Sequence, residues 1–189
     1  VAGDQDEIQD AASLLPLAVV MAGLDLVSEK SIASMADKVT IGTMAAGEGS
    51  SAGLLEGDVV SLRDLLLVAL LTGDRCATSS IAVYLGTLGS KVRVSESDAL
   101  FQFESELGAL TNRVKAERTV LKLRKGTKRQ QAQTTAKDVA RLMVHALSSP
   151  AFRFIAQQHQ ASIQVKRANR TPTLTLRNPA MSSSSPAKI

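Results

Sequence analysis

Apolar residues recur along this chain in blocks at helical spacing, parted by short polar turns, and the pattern predicts a helix-dominated domain. From Ser13 to Val27, Leu14, Leu17, Val20, Met21 and Leu24 mark a buried helix. Pro16 fits only its first turn, where backbone N–H groups have no helical partner. Ser61, with Asp64 three residues on, reads as a capping start, and Leu62, Leu65, Leu66, Ala69 and Leu70 form the face behind it. Thr72-Gly73-Asp74 interrupts that face before a third apolar helix, Cys76 to about Leu88, with Gly86 and Gly89 marking its end. A fourth runs from Glu96 to Leu107 with Leu100, Phe101, Phe103 and Leu107 on or near one face, and Gly108 is its expected C-terminal cap. Thr135 to Asp138 starts a fifth, carrying Val139, Leu142, Met143 and Ala146, and Pro150 starts a short sixth with Phe152 and Ile155.

The period changes elsewhere. Val39–Ile41 reads as a short strand, Val120, Leu121 and Leu123 as another, and Ser162–Val165 with Thr173–Arg177 as an alternating pair. Gly42–Gly57, rich in Gly, Ala and Ser, reads as a surface loop. Asp4–Asp10 is expected to be a loop or frayed end, and residues 182–189 a mobile Ser-rich tail. The order is that of an α+β domain with a small antiparallel sheet.

Composition narrows this picture. A chain of 189 residues that is 44% hydrophobic can bury one core. Only Phe101, Phe103, Phe152, Phe154 and Tyr84 are aromatic, so that core is aliphatic, and a nucleic-acid module that stacks bases on aromatic platforms is not expected. Cys76 is the sole cysteine, which excludes an internal disulfide and suits a small core residue. No apolar run reaches the roughly 18 residues that a membrane span needs. His145 and His159 lie too far apart in sequence for a local metal pair, and no metal or cofactor is expected. The net charge of +4 conceals an asymmetry: residues 1–108 carry 16 acidic and 6 basic side chains, residues 109–189 two and 16. Either the two parts attract each other across the fold, or the basic part, above all Arg113–Arg129, meets an anionic polymer.

Three stretches, in order, carry a resemblance. Leu62–Leu71, Thr72-Gly73-Asp74 and Cys76–Gly86 form a helix, triplet and helix series. Glu106-Leu107-Gly108 and Leu110-Thr111-Asn112 follow, and then Thr134–Leu142 with Ser149-Pro150-Ala151-Phe152. Together they resemble the serine D-Ala-D-Ala carboxypeptidases, the low-molecular-mass penicillin-binding proteins, over about residues 11–165. The resemblance implies a helix-rich subdomain of the β-lactamase/transpeptidase-like fold, a place in the cell envelope, and a peptidoglycan peptide or β-lactam as ligand.

It also implies acyl transfer through three elements, Ser-x-x-Lys, Ser-x-Asn and Lys-Thr-Gly. The lysine amine one turn from the serine takes its hydroxyl proton. Here the matching serine is Ser13, and the lysine position holds Pro16, which has no amine. Ser13 also reads as a helix cap. In the triplet, Thr72 keeps a hydroxyl, while Asp74 replaces a donating amide with a carboxylate that only accepts and would repel a substrate carboxylate. The triplet also reads as a plain interhelical turn. No Lys-Thr-Gly is present: Lys125-Gly126-Thr127 has the wrong order, and Ser185-Pro186-Ala187-Lys188 is a chance match in the tail. By the family's layout the triplet follows the strands after residue 160, near the end of this sequence, so truncation and decay both account for its absence. Three readings follow: an impaired or inactive carboxypeptidase-like binder of peptidoglycan with candidate site residues Ser13, Thr72 and Asp74, an active serine-type D-Ala-D-Ala carboxypeptidase whose missing elements lie in segments outside this sequence, and a non-enzymatic polyanion-binding protein that uses the basic part of the chain.

Overall fold

The structure is a computed structural model and describes residues 5–90, 94–123 and 132–179. Four helices make its centre: α1 (Leu15–Ser28), α3 (Leu62–Thr72), α4 (Arg75–Leu88) and α5 (Glu96–Arg113). Short α2 (Thr43–Gly47), α6 (Ala136–Ser148) and α7 (Pro150–Ala156) pack around them. Helix α4 touches α1, α2, α3 and α5, so it is the hub. Its buried side chains, among them Cys76, Ile81, Ala82 and Leu85, are mostly small or aliphatic and let neighbours approach from several sides. The core is aliphatic as composition predicts: Leu62, Leu65, Leu66, Leu107, Leu110, Val19 and Val20 are at most 1% exposed, and Phe103 is its largest fully buried side chain.

Among the described residues, three small antiparallel sheets flank the helices. Strands β1 (Gln9–Asp10), β5 (Ala132–Thr134) and β4 (Val120–Leu121) form one, in the order β1-β5-β4, with Gln9 opposite Thr134 and Val120 opposite Gln133. Strands β2 (Lys38–Thr40) and β3 (Val59–Ser61) form the second, and β6 (Gln160–Gln164) and β7 (Thr173–Arg177) the third, with Ser162 opposite Thr175. Val59 and Lys166 exchange two 2.9 Å backbone hydrogen bonds, which tie the segment after β6 to β3. Asp58 and Arg167 reinforce that seam. Arg167 donates from Nε to Asp58 Oδ1 at 2.7 Å and from Nη2 to Oδ2 at 2.6 Å, and also bonds the Gly53 carbonyl at 2.9 Å. Asp58 is fully buried.

The caps follow the local reading. Ser61 accepts the Asp64 N–H, and Thr135 accepts that of Asp138, satisfying donors left free in a first helical turn. Several expectations are corrected. Gly42–Gly57 is not loop throughout, because α2 forms within it; its Met44 N–H is met by the Glu96 carboxylate at 3.0 Å, 52 residues away in sequence. Asp4–Asp10 is not all frayed end, since Gln9 and Asp10 pair with β5. Helix α5 runs through Gly108 to Arg113, so Gly108 is no cap. Gly86 lies inside α4, where a Cβ would stand 2.0 Å from the Ala99 carbonyl oxygen. The glycine therefore permits a close crossing of α4 on α5. Gly86→Ala is expected to force those backbones apart and cost about 2 kcal/mol, an overpacking penalty read as a fall in Tm of several degrees by circular dichroism.

The charge asymmetry finds an internal use. Among the described residues, Arg113 bonds Asp25 and Glu29, His145 meets Asp25, Lys137 meets Asp6 and Arg167 meets Asp58, each joining the acidic part to the basic part. Most are exposed pairs of small individual worth; Asp58–Arg167 is the buried exception. Lys125-Gly126-Thr127, the far end of the basic run and the Ser-rich tail at 182–189 lie outside the described residues.

Candidate functional site

The site is built where the start of α1 meets the start of α4. A 3-10 turn, Ala12–Leu14, leads into α1, so Ser13 stands one turn before the helix proper. No side chain caps either element, which corrects the reading of Ser13 as a cap. Ser13 is exposed, and among the described residues its hydroxyl has no hydrogen-bond partner. Pro16 occupies the first turn of α1, where its missing N–H costs nothing. Both side chains line a cavity of about 320 Å³ with Leu15, Glu48, Arg75 and Ser79. A neighbouring cleft of about 430 Å³ shares Glu48, Ser79 and Leu123 with it and extends to Met44, Ser97 and Leu100, so the two read as lobes of one groove.

The triplet bends the chain from α3 into α4. Gly73 takes φ 64°, the left-handed region that glycine enters without strain, and its N–H closes α3 on the Ala69 carbonyl. Thr72 spends its hydroxyl inside α3, donating to the Val68 carbonyl at 2.8 Å. Asp74 is the N-cap of α4 and only 1% exposed. Its Oδ1 accepts the Ala77 N–H at 2.8 Å, and its Oδ2 accepts the Ser50 and Ser51 hydroxyls at 2.8 and 3.1 Å and the Ala52 N–H at 3.0 Å. Four donors thus hold this carboxylate, and it staples the 50–52 loop to the start of α4. Gly73, not Thr72 or Asp74, is the triplet residue that lines the cavity.

Around Asp74 the polar groups are likewise committed. Thr78 donates to the Asp74 carbonyl at 2.6 Å and Ser80 to the Cys76 carbonyl at 2.8 Å. Burial, and after it the charge of Asp74, push the Cys76 thiol up to about 11, so it is an inert core group rather than a nucleophile. Ser79 differs. It is half-buried, lines both lobes, and its hydroxyl has no hydrogen-bond partner among the described residues.

Ser13 and the triplet's Gly73 therefore share one cavity, while the functional groups of Thr72 and Asp74 are engaged in helix and loop. Sequence reasoning passed over Arg75, Ser79 and Glu48. The first two were within reach, since Arg75 follows the triplet and Ser79 lies four residues further, on the same face of a helix. Glu48 had no local signal, because it sits in the stretch read as loop. The cavity lining contains no lysine or histidine among the described residues, and no group of three or more His, Cys, Asp or Glu among them could hold a metal. Nor is any helix among them long and apolar enough to cross a membrane.

Comparison with known proteins bears on the family and the fold. A sequence model of the beta-lactamase enzyme family matches residues 1–162. The fold is similar to the Streptomyces K15 DD-transpeptidase, with a TM-score of 0.78 and 18% identity over 96% of this chain and 69% of that one. It is also similar to the D-alanyl-D-alanine carboxypeptidase of Mycobacterium tuberculosis H37Rv, with a TM-score of 0.73 and 18% identity over 93% of this chain and 60% of that one. At these identities the structural likeness is one of fold. No curated protein sequence matches this chain.

Proposed function

The chain belongs to the beta-lactamase enzyme family, and on that premise we propose that it is a cell-envelope protein that binds peptidoglycan stem peptides without turning them over. The observation that carries this reading is Pro16. It lines the cavity beside Ser13 at the position where the resemblance requires the lysine base, and it has no proton-accepting group. A serine hydroxyl without a base is a poor nucleophile at neutral pH. The groove nonetheless keeps the features of a peptide site. It is open, it has hydroxyls at Ser13 and Ser79, and Leu15, Pro16, Leu100 and Leu123 supply apolar wall for small side chains. The extracytoplasmic location belongs to the same proposal, since the ligand is found there.

A second reading, an active serine enzyme, draws on the unpartnered Ser13 hydroxyl and on Glu48, a carboxylate in the same cavity and a residue type that can serve as general base. A third, polyanion binding through the basic part of the chain, is weakened by the ion pairs that Arg113, Lys137 and Arg167 make with acidic residues of the fold.

Titration with an acetylated lysyl-D-alanyl-D-alanine peptide separates the three. The expected result is saturable binding that changes little with salt, with no D-alanine released. Release of D-alanine would move the conclusion to the enzyme. Binding to an anionic polymer alone, weakening steeply with salt, would move it to the third reading.

A further inference from the structure

We infer that Arg75 is the anion anchor of this groove, and that it takes the terminal carboxylate of a bound peptide. The inference rests on the peptide-binding reading above and deepens it. In the resemblance, the substrate carboxylate falls to a Lys-Thr-Gly strand that this sequence lacks. An anionic ligand end needs a cation in the groove.

Arg75 has the position and the chemistry. It is the first residue of α4, directly after the triplet turn, and lines the cavity that contains Ser13 and Ser79. One guanidinium nitrogen, Nη2, donates to the Glu48 backbone carbonyl at 2.8 Å. That bond fixes the side chain at the cavity wall and uses one of its five donors. Among the described residues no carboxylate pairs with Arg75. A planar, permanently charged fork held in this way matches a carboxylate in two-point fashion, which a lysine ammonium does not.

The surroundings select where an anion can sit. Asp74, adjacent in sequence, has its carboxylate occupied by four donors, which offsets its repulsion of a neighbouring anion. Glu48 is the only carboxylate residue lining the cavity among the described residues, and it has an interaction of its own. The hydroxyls of Ser13 and Ser79 remain for the peptide's carbonyl and amide groups, and Leu15 and Pro16 for alanine methyls. The ligand class is thus a short peptide with small side chains and a free C-terminal carboxylate.

The test compares the acetylated lysyl-D-alanyl-D-alanine acid with its C-terminal amide by calorimetric titration against the wild type, Arg75→Gln and Arg75→Lys. Arg75 is exposed, so the variants should fold, and far-ultraviolet circular dichroism checks this. The wild type is expected to favour the acid about tenfold, as one charge-assisted contact implies. Arg75→Gln should bind acid and amide alike, with amide affinity unchanged, and Arg75→Lys should fall between. An acid preference that survives in Arg75→Gln, or equal binding of acid and amide by the wild type, overturns the role of Arg75 and leaves the peptide-binding reading in place. If the wild type binds neither form, both are overturned.

Discussion

Arg167→Ala is expected to destabilise the fold by about 3–5 kcal/mol, the cost of breaking a buried ion pair from one side. The variant removes the two guanidinium bonds to Asp58 and the one to the Gly53 carbonyl, and leaves a fully buried carboxylate with the Leu55 N–H as its remaining partner, at 2.9 Å. It also loosens the seam between β3 and the segment after β6, where Val59 and Lys166 pair. Urea unfolding followed by circular dichroism reads the effect directly, since the chain has no tryptophan and a single tyrosine. The pH dependence gives a second readout. Burial pushes the Asp58 carboxyl up, but the Arg167 hydrogen bond, the Leu55 N–H and the charges of Arg167 and Arg170 outweigh it and hold the group below its usual 3.8. A carboxyl lowered on folding contributes stability that is complete above the unfolded value and is lost as pH falls through the lower folded value. The wild-type contribution should therefore persist down to about pH 4. In Arg167→Ala, burial is left with little opposition and the carboxyl rises above its unfolded value, so the sign reverses: the buried charge costs stability at neutral pH, and the deficit against the wild type should shrink as pH falls and the carboxyl is protonated. Equal acid profiles for the two proteins would contradict this account of the seam.

Asp74→Asn should cost about 3–4 kcal/mol, although it restores the residue type that the family's middle element has at this place. The reason is the direction of the hydrogen bonds. All four groups around the Asp74 carboxylate donate to it: two backbone N–H groups and the hydroxyls of Ser50 and Ser51. An amide offers one oxygen and turns an NH2 toward donors, leaving buried groups unsatisfied and removing the charge that strengthens each remaining bond. The hydroxyls can rotate to accept, but the Ala52 and Ala77 N–H groups cannot. The loss should appear as a lower urea midpoint, together with faster exchange of the Ala52 amide as the 50–52 loop comes free of α4. A variant as stable as the wild type would mean that this carboxylate does not staple the loop.

The parts of the structure legible in the sequence are those whose causes lie within a few residues. The Ser61–Asp64 and Thr135–Asp138 caps, the Thr72-Gly73-Asp74 bend and the alternation of β6 against β7 are of this kind. The ordered resemblance also led to the correct family, because it summed several weak local signals whose order is itself information. What was not legible depends on distant partners. Helix α2 sits in a stretch that composition marks as loop, and its start is completed by Glu96. Asp58 and Arg167 are 109 residues apart, and neither stands in a motif. Gly86 was misread because a glycine that permits a close helix crossing looks, in sequence, like one that ends a helix. For the site, the resemblance singled out Ser13 and Pro16, which line one cavity, but residue types could not tell that Asp74 is committed to the 50–52 loop. They passed over Arg75 and Ser79 because no motif of the family names them.

The central claim is that Ser13 lacks the means to attack. Incubation with a fluorescent penicillin, followed by mass spectrometry of the intact protein and its peptides, traps an acyl-serine without any assumption about the natural substrate. The account predicts folded protein of unchanged mass with no labelled peptide. A stoichiometric adduct on the peptide containing Ser13 would contradict it, and would show that another group in the groove replaces the lysine that Pro16 displaced.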